Sequence, residues 1–150
     1  QLIWGNSWQA PTEDNGDNAT SGAGEDDLAS SSIAANSIGP VGRVRVLATG
    51  TVTDAASGNK TIKLYWGTGS YTMRAAGDNN DDWQIDAQIV NTAYNAQRIR
   101  WVFRQGEYTN SGYETATEDT SAAVTVKVTG ECADGSDTIT QTMWRLDFNQ

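Results

Sequence analysis

Between Ile33 and Trp66 the chain carries two alternating apolar runs joined by a turn-rich link, IAANSIGPVGRVRVLATGTVTDAASGNKTIKLYW, and this pattern restricts the fold more than any other feature. Val44, Val46 and Ala48 fall on one side of the first run, with Arg43, Arg45 and Leu47 on the other. After a turn at 54–59, Ile62, Leu64 and Trp66 resume the apolar side against Lys63 and Tyr65. A period of two puts successive side chains on opposite faces of an extended chain, so each run reads as a half-buried strand. Gly50 interrupts the first run. A glycine inside a strand pattern marks a bulge or bend, read here as the point where a long strand crosses between two sheets.

The same texture recurs downstream. Trp83, Ile85, Ala87 and Ile89 alternate with Gln84, Asp86 and Gln88, while Ile99, Trp101 and Phe103 alternate with Arg98, Arg100 and Arg104. A weak first strand covers Leu28 to Ile33, and a short run lies at Tyr71 to Ala75. Val124, Val126 and Val128 precede Gly130, and the run from Thr138 to Phe148 changes phase between Met143 and Trp144, the mark of a bulge. No window of 11 or more residues has helical spacing. The pattern predicts an all-β fold: a two-sheet antiparallel β-sandwich of about eight strands over residues 28–150. Long connections at Gly67 to Asp82 and Gln105 to Ala122 favour Greek-key crossing and a jelly-roll topology.

Residues 1–27 read as a separate acidic N-terminal arm. Glu13, Asp14, Asp17, Glu25, Asp26 and Asp27 occur there with no Lys or Arg, and PTEDNGDNATSGAGE between Pro11 and Glu25 lacks any large apolar residue. Such a segment cannot offset its ordering entropy and is expected to act as a linker or extended arm. Leu2, Ile3, Trp4 and Trp8 at its front form an apolar anchor, expected to dock on the body or on a neighbouring subunit.

Two absences bound the chemistry. The chain has no histidine and its one cysteine is Cys132, so an intrachain disulfide, a Cys/His zinc site and a histidine-based catalytic pair are all excluded. Ten Lys and Arg against 19 Asp and Glu leave a net charge of −9. That balance disfavours nucleic acid or an anionic membrane as partner, since both attract positive charge. No apolar run approaches the ~20 residues a membrane span needs. No cofactor is implied.

The remaining constellations are modest. Asp78, Asp81 and Asp82 form an acidic loop that could ligate calcium, although solvated loop acids account for it as well. Asp86, Glu107, Glu114, Glu118 and Asp119 qualify as glycosidase carboxylates by residue type alone. Asp86 is equally explained by a cross-strand pair with Arg98 or Arg100. Trp66, Trp83 and Trp101 fall in phase with aliphatic residues and read as core. Tyr65, Tyr71, Tyr94, Tyr108 and Tyr113 are freer, and loop tyrosines at one end of the sandwich are the candidates for a sugar platform. Arg43, Arg45, Arg98, Arg100 and Lys63 point away from the apolar faces and predict a basic sheet surface on an acidic protein. That surface serves either as edge protection or as an interface with an acidic part of another copy.

The wording IAANSIGPVGRVRV, GNKTIKLYWG, WQIDAQIVN, TATEDTSAAVTVKVTG and DTIT resembles, in order and spacing, a jelly-roll domain common in virion structural proteins of tailed bacteriophages, many of them marine. The likeness covers about Leu28 to Phe148. It departs at Ala34, where the family pattern has proline, and in the acidic arm. The resemblance implies no catalytic residues. It implies a virion surface component: a capsid decoration or cement protein, a head fibre or a module of a tail fibre. Small single-domain size, acidic net charge and an arm able to reach a neighbour favour the first, a capsid decoration protein on the outer face of the head, expected to bind the major capsid protein and copies of itself as a homotrimer. The interface would draw on Leu2, Ile3, Trp4, Trp8, Arg43, Arg45, Arg98 and Arg100. The alternative is a tail-fibre or carbohydrate-binding module that recognises host glycans.

Overall fold

A computed structural model describes residues 12–14, 18–56, 58–76 and 80–149 of the chain. Leu2, Ile3, Trp4, Trp8 and Asp78 lie outside them. The described residues form eleven strands: β1 (Thr12–Asp14), β2 (Asn18–Ala19), β3 (Gly24–Ile33), β4 (Arg43–Thr53), β5 (Lys60–Trp66), β6 (Gly69–Ala76), β7 (Asp82–Ala93), β8 (Ala96–Gln105), β9 (Tyr108–Ala116), β10 (Val124–Cys132) and β11 (Thr138–Asn149). They pair into two sheets. The larger runs β1-β11-β4-β7-β8-β9, with β2 also on β11, and the smaller runs β3-β10-β5-β6. Every pairing is antiparallel. Strands remote in sequence pair outermost, β4 with β11 and β5 with β10, around the local β7–β8 hairpin. This nested pairing makes the sandwich a jelly roll.

The predicted apolar faces meet between the sheets. Val44, Val46, Val52, Ile62, Leu64 and Trp66 are buried, as are Ile85, Ile89, Ile99, Phe103, Val126 and Val128. Each strand that the alternation identified has one face in this core, which is why a period of two was legible there.

Four features depart from expectation. First, Gly50 marks no sheet crossing: β4 stays in one sheet from Arg43 to Thr53, and the chain changes sheets in the loop after it. Gly50 lies directly opposite Trp83, and a Cβ there would come within 2.6 Å of the indole and 1.9 Å of the Thr140 carbonyl oxygen. The glycine is a seat for a tryptophan. Second, the bulge in the last strand sits between Gln141 and Met143, opposite Gly50 and Thr49, two residues before the predicted phase change.

Third, both supposed long crossings contain a strand. Trp66 and Gly69 are joined by a two-residue turn through Gly67 (φ 56°), and Gln105 and Tyr108 by one through Gly106 (φ 53°). These left-handed conformations suit glycine. The described residues therefore form nine strands longer than three residues, against an expectation of about eight. Fourth, the stretch read as a linker lies partly along the sandwich. β1 and β2 pair with β11, and β3 starts at Gly24 rather than Leu28, pairing Glu25, Asp26 and Asp27 with Glu131, Gly130 and Thr129. Backbone pairing replaces the apolar burial whose absence suggested a linker.

Candidate functional site

Strand alternation leaves the outer face of the large sheet to solvent, and the register shows which side chains share it. Arg45 on β4 and Arg100 on β8 both lie opposite Gln88 of β7, and Arg43 and Arg98 both lie opposite Val90. Arg104 faces Gln84, and Arg145 of β11 faces Leu47. On β9, Tyr113 lies opposite Arg100. The structure thus brings together all four predicted arginines, Arg43, Arg45, Arg98 and Arg100, with Arg104 of the same predicted outward row, and adds Arg145. Lys63 does not belong with them. It lies on the small sheet, 2.9 Å from Glu25.

Three adjoining depressions run along β7 and β8 on this face. The largest, about 350 Å³, is lined by Thr49, Gly50, Thr51, Asp82, Trp83, Gln84, Arg104, Gly106 and Thr142. It shares Gln84 and Arg104 with a depression of about 100 Å³ that adds Asp86 and Val102. A third, about 240 Å³, continues past Asp86 and Val102 to Gln88, Arg100 and Trp101. Between Asp82 and Gln88 the strand rises by roughly 20 Å, the length over which the three depressions follow one another as a shallow groove. Its lining is rich in guanidinium, carboxamide and carboxylate groups.

Within this face Asp86 is held by Arg45, not by Arg98 or Arg100. Nε and Nη2 of Arg45 donate to the two carboxylate oxygens at 3.1 and 2.8 Å. The cross-strand explanation of Asp86 was right in kind and wrong in strand, because the diagonal neighbour on β4 is also within reach. The hydrogen bonds from Arg45, followed by its Coulombic attraction to Asp86, push the guanidinium pKa further up. Arg145 similarly donates to Asp147, at 2.9 Å.

The other predicted candidates disperse. Glu118 accepts hydrogen bonds from the Thr68 backbone N–H and hydroxyl, and Asp119 caps a turn through Ser121. Glu107 sits in the β8–β9 turn and Glu114 is exposed on β9. Tyr94 lies at the β7–β8 turn and Tyr108 beyond the β8–β9 turn, at opposite ends of the hairpin, so the loop tyrosines form no single platform. Tyr65 donates its hydroxyl to Glu25, and Tyr71 is half-buried. The tyrosine in position to meet a ligand is Tyr113, 60% exposed beside Arg100. It reads as a loop tyrosine in the sequence because β9 lacks the alternation that marks the other strands. Asp81 and Asp82 lead into β7, and among the described residues no three Asp, Glu or Cys side chains converge to hold a metal ion.

Sequence reasoning also missed a buried ionic cluster. Lys60 Nζ lies 3.0 Å from Asp137 Oδ2 and also bonds Asp54, while the Ala55 and Ala56 amides donate to Asp137 Oδ1 at 2.9 Å each. Burial alone would push Lys60 down, but its two carboxylate partners reverse the direction and hold it up. Burial likewise pushes Asp137 up, and the amides and Lys60 bring it below the usual carboxylate range. The Lys60 and Asp137 side chains are 4% and 0% exposed, so the cluster staples two loops and offers no surface to substrate.

No family model and no curated protein matches the chain. Solved structures similar to it include the lectin UEA-II complexed with galactose, at 11% identity and TM-score 0.48 over 96% of this chain and 100% of that chain. Another is the CBM2 module of Lactobacillus casei BL23 phage J-1 evolved Dit, at 13% identity and TM-score 0.39 over 80% and 68%. A third is lectin I from Ulex europaeus in complex with the methyl glycoside of alpha-L-fucose, at 10% identity and TM-score 0.39 over 71% of each chain. The sandwich assignment rests on the two sheets described above.

Proposed function

We propose that this domain is a non-catalytic glycan-binding module whose ligand lies along the outer face of β7 and β8. The observation that carries this reading is the row of three adjoining depressions from Thr51 to Gln88, lined by Gln84, Gln88, Arg100 and Arg104 and flanked by the exposed ring of Tyr113. Carboxamides and guanidiniums supply several donors each, the chemistry that matches a hydroxyl-rich chain, and an aromatic face stacks on the C–H face of a sugar ring. A screen of the intact chain against immobilised glycans should give binding that Tyr113→Ala and Gln88→Ala weaken. Absence of binding to every glycan at millimolar concentration would sink the proposal.

A second reading follows from the segregation of charge and from the resemblance to phage virion proteins. Arginines gather on the large sheet, while Glu25, Asp27 and Glu131 gather on the small one, where Lys63 and Lys127 balance part of their charge. Complementary faces of this kind suit a capsid decoration protein that packs as a homotrimer on the outer surface of a head shell. Native mass measurement at low and high salt tests the self-association: a trimer that dissociates with salt supports it, and a monomer throughout counts against it.

A further inference from the structure

Four of the ten cationic side chains make no hydrogen bond or ion pair among the described residues, although the chain carries 19 carboxylates: Arg43, Arg98, Arg100 and Arg104. All four lie on the outer face of the large sheet. Every other cation has a partner: Arg45 and Arg145 on the same face bind Asp86 and Asp147, Lys60, Lys63 and Lys127 are ion-paired elsewhere, and Arg74 lies over the Tyr108 ring. Arg98 and Arg100 are two residues apart on one strand, which sets their Cα atoms roughly 7 Å from each other. Like charges at that spacing repel, and an anionic ligand removes the repulsion as it binds.

From this arrangement we infer that the ligand is an anionic polysaccharide, a chain of hexuronate units whose carboxylates meet Arg100 and Arg104 in the groove and Arg98 and Arg43 beside it. The inference rests on the glycan-binding reading and narrows its ligand. A guanidinium fork pairs with a carboxylate through two parallel hydrogen bonds, a match an ammonium cannot make. The interleaved Gln84 and Gln88 and the Tyr113 ring then serve the hydroxyls and the ring face of the same chain. A polymer whose charges are its only handle would leave those groups unused.

The test is calorimetric titration of the intact chain with polygalacturonate, with the same polymer fully methyl-esterified, with dextran sulfate and with duplex DNA. Binding to polygalacturonate, at least about tenfold weaker for the methyl ester, is expected, since hydrogen bonds to charged groups are worth that much. Arg100→Gln and Arg104→Gln should each weaken it about tenfold, with Arg98→Gln as the alternative variant if either fails to fold, while Lys127→Gln on the other sheet leaves it unchanged. Raising salt to about 0.5 M should weaken it further. Equal binding to the methyl ester overturns the anionic assignment and leaves the glycan reading standing. Equal or tighter binding to dextran sulfate or DNA overturns it in favour of unspecific charge attraction. Binding to none of these, and to no neutral glycan, overturns both.

Discussion

Single ionic residues in this protein act as ties between segments far apart in the chain. Lys60 is the sharpest case, because removing its ammonium leaves Asp54 and the enclosed Asp137 without their counter-charge. Breaking a buried pair costs more than the pair contributes, so Lys60→Met should destabilise the fold by on the order of 3 kcal/mol in a urea titration. A loss below about 1 kcal/mol would mean that water reaches the carboxylates. Glu25 ties β3 to β5 and β10, accepting from Tyr65 at 2.6 Å, Thr129 at 2.7 Å and Lys63 at 2.9 Å. The Tyr65 hydroxyl, with Thr129 and Lys63 and against some desolvation, lowers its pKa from 4.5 to about 2. A depressed carboxylate stabilises the fold above its unfolded-state value, and that contribution is lost as pH falls from about 4.5 to about 2. Thermal melts should therefore show the chain more stable than Glu25→Gln at pH 6, by no more than about 1 kcal/mol at this partly exposed site, and indistinguishable from it near pH 2. A gap independent of pH would assign the effect to packing instead.

At the scale of strands, two cross-strand pairs repeat one device: a tryptophan lying across a glycine of the neighbouring strand. Trp83 covers Gly50, and Trp101 covers Gly112, where an added Cβ would meet the indole at 2.4 Å. Gly112→Ala should cost about 1–3 kcal/mol through overpacking, measured by chemical denaturation, and Trp101→Phe in the same chain should recover part of it. Failure of the second substitution to recover anything would show that the glycine serves its backbone and not the indole. The same device explains what was hard to read beforehand. Strands with one buried face, such as β4, β7 and β8, announce themselves by alternation. β9 does not, because the inward positions of its sequence YTNSGYETA are Tyr108, Asn110, Gly112, Glu114 and Ala116, with no large aliphatic residue among them, and Trp101 reaches across from β8 over Gly112. Gly50 was visible as an interruption, but its meaning depends on a tryptophan 33 residues later that only the β4–β7 register brings opposite. The outward arginines were legible because strand phase alone places them. Their shared face, the exclusion of Lys63 and the groove with Tyr113 depend on which strands neighbour which, and local pattern does not contain that.

For the molecule as a whole, that neighbour order also governs how the fold is reached. β7 and β8 close on each other through the short link at Tyr94 and Asn95, whereas β4 must wait for β11 and β3 for β10, pairing Arg43 with Asn149 and Ile33 with Val124. Closing such long loops costs entropy before the contacts repay it, and sandwiches dominated by nonlocal pairs fold in milliseconds to seconds. The β7–β8 hairpin, closed like β5–β6 and β8–β9 by a two-residue link, carries Ile85, Ile89, Ile99 and Phe103 into the core, so it combines low closure entropy with a large apolar contribution. Refolding followed by tryptophan fluorescence should then be slowed by Ile85→Val and Ile99→Val nearly in proportion to their loss of stability. Leu146→Ala on β11 should leave the refolding rate almost unchanged and speed unfolding, since a contact absent from the transition state acts on the unfolding limb. The opposite partition, with β11 substitutions slowing refolding, would mean that the sequence-remote β4–β11 pair forms the nucleus and that the hairpin docks onto it afterwards.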